Sequence, residues 1–423
     1  MFQTVSDILK IAAALPGYAL MHVLARIPKK RNLVIVLAPK NGAFVDNAKY
    51  AYLALAESPE IEVCYVTPKR AVATELKAAQ LDGVRMPSPR AIWLLMRCAI
   101  AVGCDYEAFR GLSGNLLGGA KRIQLWHGSG IKNVSVDSPN VAHLRHRRIG
   151  RLRLEFKRKF PVFDLFYFPS RINFEKRKNT FRYRRAALNG LLRNDLLTDT
   201  SVRPATALIG TDLKCGERIG KDKAAGRRLV IFAPTWRTMD RYDVGERIPF
   251  DFARLNKLME TLSSTLVIKL HPTMRDHFDL AAFSNIVEYD RHGDIYPLLG
   301  AFDLMISDFS SLIPDFALLS RPIILYLPDL GSLIAEDRFS PSELDRFMGD
   351  RCLDHDRLYD AIEDALLKHK KISFTQTAEF HEFKDGLNTA RFVSDVESML
   401  GLVPSRSGSE TLAVRHDTRI TAA

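Results

Sequence analysis

NLVIVLAPKNGAFVDNAKYAYLALAESPEIEVCYVT, residues 32–67, decides the fold class. Its opening run (NLVIVL, 32–37) and its closing run (IEVCYVT, 61–67) are short, apolar and rich in β-branched side chains, as buried parallel strands are. Residues 47–57 between them read as a helix. Further runs of the same kind stand at 123–125, 165–168, 229–232, 266–270, 286–289, 304–307 and 323–326. Turn residues and a helical pattern follow each of them. Repetition of strand, turn and helix describes a doubly wound α/β fold.

The polar stretch 198–227 separates two such sets of strands. The expected organisation is an N-terminal helix over 1–31, a Rossmann-like domain over 32–200, a linker over 201–227 and a second Rossmann-like domain over 228–402. A tail over 403–423 (VPSRSGSETLAVRHDTRITAA) has no apolar period and is expected to be disordered. Ligands would lie at the carboxyl ends of the strands, in a cleft between the two halves.

Composition narrows the function classes. At 423 residues, 47% hydrophobic and 26% charged, the chain is neither extensively disordered nor a multi-span membrane protein. Five cysteines (Cys64, Cys98, Cys104, Cys215, Cys352) without a C-x-x-C pair argue against a disulfide framework or structural zinc, and fit a reducing compartment. The apolar stretch 8–27 is interrupted by Lys10, Pro16, Gly17, His22 and Arg26. It reads as a helix lying on a membrane surface or packing on the domain, with no targeting signal and hence a cytoplasmic location.

Charge is concentrated. The net +12 of the whole chain is matched by residues 143–185 alone, with 15 Lys and Arg against Glu155, Asp164 and Glu175. Within an amphipathic insertion over 139–160, Leu144, Ile149, Leu152, Phe156 and Phe160 fall close to one helical face among arginines. A basic amphipathic helix points to an anionic membrane surface, through 139–185, rather than to nucleic acid. The alternative is a solvated helix packed on its own domain.

Five short sequences stand where such a fold builds its site. They are Trp126-His127-Gly128-Ser129-Gly130-Ile131-Lys132, Asn189-Gly190-Leu191-Leu192-Arg193-Asn194-Asp195, Ala233-Pro234-Thr235-Trp236-Arg237, Lys269-Leu270-His271-Pro272 and Ser307-Asp308-Phe309-Ser310-Ser311, the last opening a helix that carries Asp315. Ser310 and Ser311 between a strand and a helix offer an anion site, or alternatively an ordinary N-cap. Lys132, Arg193, Arg237 and Lys269 could add charge around a pyrophosphate. One histidine at a strand end could be structural; His127 and His271, one in each half, suggest a catalytic pair.

In that order and at similar spacing, these motifs resemble the CDP-glycerol glycerophosphotransferases of teichoic-acid and capsule synthesis. The likeness runs from about residue 32 to about 330. It implies a GT-B-like architecture and a peripheral enzyme at the cytoplasmic face of the membrane. It also implies a donor pocket of Arg193, Pro234, Thr235, Lys269, His271, Ser310, Ser311 and Asp315. His127 would be the base near the acceptor, with Gly128, Ser129 and Gly130 lining its loop beside Trp126; Lys132, Asp195 and Arg237 complete the expected binding set. Phe309 stands where the family has tyrosine, Ser129-Gly130-Ile131 replaces Thr-Pro-Leu, and Pro314 is unusual.

The resemblance implies transfer of glycerol phosphate, or a related polyol phosphate, from CDP-glycerol or CDP-ribitol to a lipid-linked acceptor with release of CMP. No cofactor is expected and no metal ligands are assigned; the Asp-x-Asp at 354–356 lies away from every motif. The alternative is a GT-B glycosyltransferase using a nucleotide sugar.

Overall fold

The computed structural model describes residues 16, 17, 19–21, 23–129, 144, 146, 148–199, 205–235, 251–272, 274, 278–331, 345, 349–368, 379–402 and 409–412. The chain divides into two compact units. One comprises Met1–His127, Asn133–Asp195 and Glu382–Ala423; the other comprises Gly128–Lys132 and Leu196–His381.

The first unit is built on β1 (Lys30–Leu37), β2 (Glu62–Thr67), β3 (Gly83–Arg85), β4 (Cys98–Gly103), β5 (Lys121–Gln124), β6 (Val162–Phe168) and β7 (Arg182–Leu188). These strands pair in parallel in the order 7-6-5-4-1-2-3. Leu33, Ile35 and Leu37 from β1 meet Phe163, Phe166 and Phe168 from β6 in one core. Each such side chain taken from water contributes about 1.5–3 kcal/mol. Helix α1 (Asp46–Ala56) follows β1; its Ala and Leu are good helix formers, and Ala48, Tyr52 and Leu55 are buried. Helix α2 (Arg148–Lys159) carries the basic sequence RIGRLRLEFKRK.

The second unit contains β8 (Arg228–Phe232), β9 (Ser264–Ile268), β10 (Ile286–Glu288), β11 (Leu304–Ser307), β12 (Ile323–Tyr326) and β13 (Asp350–Cys352). They form a six-stranded parallel sheet in the order 10-9-8-11-12-13. Chain direction through the sheet reverses between β8 and β11, which makes the carboxyl ends of β8, β9 and β11 a topological switch point. Helix α3 (Leu213–Ala224) precedes β8, and the short α4 (Leu312–Ala317) follows β11.

Three expectations about organisation are corrected. The stretch expected as a linker over 201–227 is folded from 205 onward. Asp212 caps α3 by accepting from Cys215 N at 2.9 Å, and buried Asp222 takes Arg218 and the Thr265 hydroxyl. The domain expected to run to 402 ends earlier, because the chain returns to the first unit at Glu382. There α5 (Asn388–Leu400) buries Phe392 and Val396. The tail expected to be disordered over 403–423 contributes β14 (Glu410–Leu412), antiparallel to β7, with Ser409 buried and bonded to Asp395.

Residues 1–15 of the expected N-terminal helix lie outside the described residues. Leu24, near its end, is buried in the first core, and Lys29 Nζ donates to the carbonyls of Leu24 and Met96. Residues 139–143 of the basic insertion are also undescribed. In α2 and just after it, Leu152 is 62% and Phe160 39% exposed, whereas Leu154 is buried. Part of the expected apolar face is therefore turned to solvent beside exposed Arg151. No helix among the described residues is long and apolar enough to cross a membrane.

Candidate active site

His127 stands just past the carboxyl end of β5, exposed to solvent. Trp126 puts it there. Its φ of +60° is a left-handed conformation that a bulky residue adopts only where the surroundings impose it. The turn sends the Trp126 indole into the core against Phe166 and Phe181 and leaves the next side chain outside. The imidazole of His127 stacks on that indole at 4.4 Å. Its Nδ1 lies 2.9 Å from the carbonyl oxygen of Cys104, at the end of β4. A carbonyl can only accept, so Nδ1 carries a proton, and in the neutral imidazole Nε2 presents the lone pair.

The loop is held by residues that sequence reasoning missed. Asp46 and Asn47, after β1, lie at the same edge of the sheet. Buried Asn47 donates to the Trp126 carbonyl at 2.9 Å and accepts from Arg193 N at 3.1 Å. Asp46, with φ +63°, pairs with the Arg193 guanidinium, which also donates to the His127 carbonyl at 3.1 Å. An Asp-Asn pair at the turn between an apolar strand and a helix was the available signal.

Arg193 and Asp195, expected in the donor-binding set, both make contacts within the first unit. Arg193 is 3% exposed and spans Asp46 and His127, so it braces the His127 loop. Asp195 accepts from Asn388 N at 3.2 Å and Thr389 N at 2.7 Å, satisfying first-turn donors of α5. Burial pushes its carboxyl above the usual range, and the bonds to Thr389 and Asn388 pull the other way. Gly190 in the same motif is required by close approach: a Cβ there would meet Asn388 Oδ1 at 2.2 Å.

In the second unit, the three motifs end β8, β9 and β11, the strands about the switch point. Asp308 ties two of them together: it accepts from Thr235 N at 3.0 Å and from the Thr235 hydroxyl at 2.5 Å. Pro234 is buried beneath this junction. Ser310 accepts from Leu312 N at 3.2 Å, while Ser311, at the N-cap position of α4, makes no side-chain capping bond. The ordinary N-cap reading thus holds for Ser310 and fails for Ser311.

Lys269 donates to the carbonyls of Leu270 and Arg291, at 3.3 and 2.8 Å. Burial lowers its pKa to about 8, against the opposing pull of Asp290 and Asp294. His271, two residues on, is exposed. Asp315 is fully buried and accepts from the Tyr296 hydroxyl at 2.6 Å; His381 Nε2 is 3.6 Å from it and donates to the Pro314 carbonyl at 2.9 Å. Asp315 therefore braces the loop from inside. Gly128 and Ser129 are buried. Gly130, Lys132 and Arg237 lie outside the described residues.

Two sheets of mainly parallel strands, one in each unit, define a two-unit α/β protein with Rossmann-like sheets. The family description CDP-Glycerol:Poly(glycerophosphate) glycerophosphotransferase matches residues 19–398, and the chain belongs to that family. Among curated relatives, a teichoic acid poly(glycerol phosphate) polymerase of Bacillus subtilis (strain 168) is 28% identical over 213 residues, 49% of this chain and 27% of that protein. A teichoic acid glycerol-phosphate primase of the same organism is 22% identical over 319 residues, 74% of this chain and 76% of its own. Teichoic acid ribitol-phosphate polymerase TarK of Staphylococcus aureus (strain NCTC 8325 / PS 47) is 24% identical over 288 residues, 65% of this chain and 52% of its own. The chain thus spans about a quarter to a half of the polymerases it matches. The fold is that of the wall teichoic acid polymerase TagF, with a TM-score of 0.67 and 14% identity over 95% of this chain and 99% of that one.

Proposed function

We propose that the protein transfers a polyol phosphate from a CDP-activated donor, CDP-glycerol or CDP-ribitol, to a lipid-linked acceptor and releases CMP. The observation that carries this reading is His127: exposed at the sheet edge, with Nδ1 2.9 Å from the Cys104 carbonyl, so that in the neutral imidazole Nε2 is the nitrogen left to take a proton. An acceptor hydroxyl attacks the distal phosphorus of the donor, forming a new P–O bond. Its proton goes to Nε2. The bond between that phosphorus and the bridging oxygen breaks, and CMP departs with the electron pair. Such a base contributes ~10²–10⁴-fold in rate.

The leaving CMP carries the growing negative charge. Lys269, His271, Ser311 and Thr235 at the switch point of the second unit are the residues assigned to it, a placement supported by the usual location of nucleotide sites in such sheets. Membership of the family supports the donor class. The test is CMP release from CDP-glycerol and CDP-ribitol with membranes supplying acceptor. Wild type should release CMP from one donor, and His127→Asn, whose amide nitrogen takes the place of Nδ1 and keeps a donor for Cys104 but supplies no base, should lose at least ~100-fold. A fully active His127→Asn variant overturns the assignment.

The same reading places the enzyme on an anionic membrane surface. Exposed Leu152, Phe160 and Arg151 support it. Binding to vesicles with phosphatidylglycerol should weaken about fivefold for Arg151→Gln, since each basic side chain near such a surface contributes ~1 kcal/mol. Equal binding to neutral vesicles would refute electrostatic attachment.

A further inference from the structure

A cavity lies at the same edge of the first unit, over the ends of β1, β2 and β3, with a volume of about 220 Å³. Its floor is apolar, with Val66 and Met86, and its rim carries Lys40, Glu107, Arg110 and Ser113. Lys40 and Arg110 are both exposed. The Arg110 guanidinium lies over the Tyr106 ring at 5.6 Å and 3.4 Å from Glu107, contacts loose enough to leave donors for an anion. The rim thus carries two cationic side chains, Lys40 and Arg110, beside the Glu107 and Asp105 carboxylates, the latter engaged by backbone N–H groups of Lys40 and Glu107.

The cavity is built into the loop that holds His127. Cys104, whose carbonyl takes His127 Nδ1, is followed by Asp105. The Asp105 carboxylate accepts from Lys40 N at 3.0 Å and from Glu107 N at 3.0 Å, fixing both sides of the rim. His127 follows β5, and the cavity begins at β1, two strands away in the order 5-4-1-2. At ~4.8 Å per strand the separation is about 10 Å to the β1 end of the cavity and about 19 Å to its β3 end. That is too far for the reacting hydroxyl itself and suits a group set back along the same acceptor.

We propose that this cavity is the acceptor subsite: Lys40 and Arg110 grip a phosphate of the acceptor's polyol-phosphate chain while its terminal hydroxyl reaches His127. The carbon skeleton packs on Met86 and Val66, and Ser113 faces its hydroxyls. The inference rests on the transfer reaction proposed above and adds which part of the chain holds the acceptor.

A soluble glycerol phosphate oligomer and free glycerol serve as long and minimal acceptors. Lys40→Glu and Arg110→Glu should each raise KM for the oligomer about tenfold. The KM for CDP-glycerol and the rate with free glycerol should stay at wild-type values, as should the thermal unfolding midpoint. An unchanged oligomer KM in the double variant overturns the subsite. Failure of wild type to release CMP from either donor would instead overturn the reaction. Equilibrium binding of the oligomer then decides the cavity alone, tenfold weaker binding in the double variant supporting it and equal binding refuting it.

Discussion

Lys269 and His271 leave the same strand, yet their environments differ: the ammonium is drawn in toward two carbonyls, and the imidazole is exposed. Burial holds the folded Lys269 at a pKa of about 8, below the 10.5 of an unperturbed lysine. The neutral form is thus favoured on folding. Stability from this group is lowest below pH 8 and rises between about 8 and 10.5, where the unfolded chain binds more protons. Affinity for the leaving CMP should move in the opposite direction, falling as pH passes 8 and the ammonium loses its charge. Lys269→Arg, always charged, should flatten the loss. Calorimetric titration of CMP between pH 7 and 9.5 checks this; parallel profiles for wild type and variant would remove Lys269 from the phosphate site.

At the scale of elements, Asp195 is the contact to test. Its carboxylate serves two donors of α5 across 193 and 194 positions of sequence. Asp195→Ala should cost about 1–2 kcal/mol in urea unfolding, as loss of a helix cap does. A CMP-binding constant equal to wild type would separate that role from donor contact. The helix-serving role was invisible in the sequence, where Asp195 and Arg193 sit in a polar motif beside a turn and look like ligand residues. Their partners, Asn388 and Asp46, are brought near only by the fold. The strands at 32–37, 61–67, 229–232 and 304–307 were legible because short apolar runs bounded by turn residues and alternating with helical patterns are the mark of buried strands. β4 was not, since CAIAVG continues the apolar helix Pro89–Arg97 without a turn residue between them. β7 was hidden by the arginines of RYRRAAL, and β14 by the polar residues around it. The position of His127 at a strand end was legible because an apolar run stops there and glycine follows; its bond to the Cys104 carbonyl was not, since β4 was itself unseen.

For the whole molecule, the order of segments carries the argument. The chain leaves the first unit at Asp195, completes the second, and comes back at Glu382. What returns is integral to the first unit. Phe392 and Val396 are wholly buried, and buried Asp395 accepts from the Tyr167 and Ser409 hydroxyls, each at 2.6 Å. Arg391 donates to Asn189, next to the Gly190 that admits Asn388. Deleting 382–423 would leave Tyr167 and Asn189 without these partners and open the face of α1 that α5 covers. Each buried polar group so orphaned costs about 1–3 kcal/mol and the lost Phe392 about 3–5, together comparable with the whole stability of a domain. The truncated chain should therefore show the first unit melting early or not folding, while the second keeps its own transition. Hydrogen exchange resolves the two: rapid exchange in β6 and β7 with protection retained in β8 and β11 is the expected result. Full protection of β6 and β7 would mean that 32–199 folds as a complete domain and that the returning segment only decorates it.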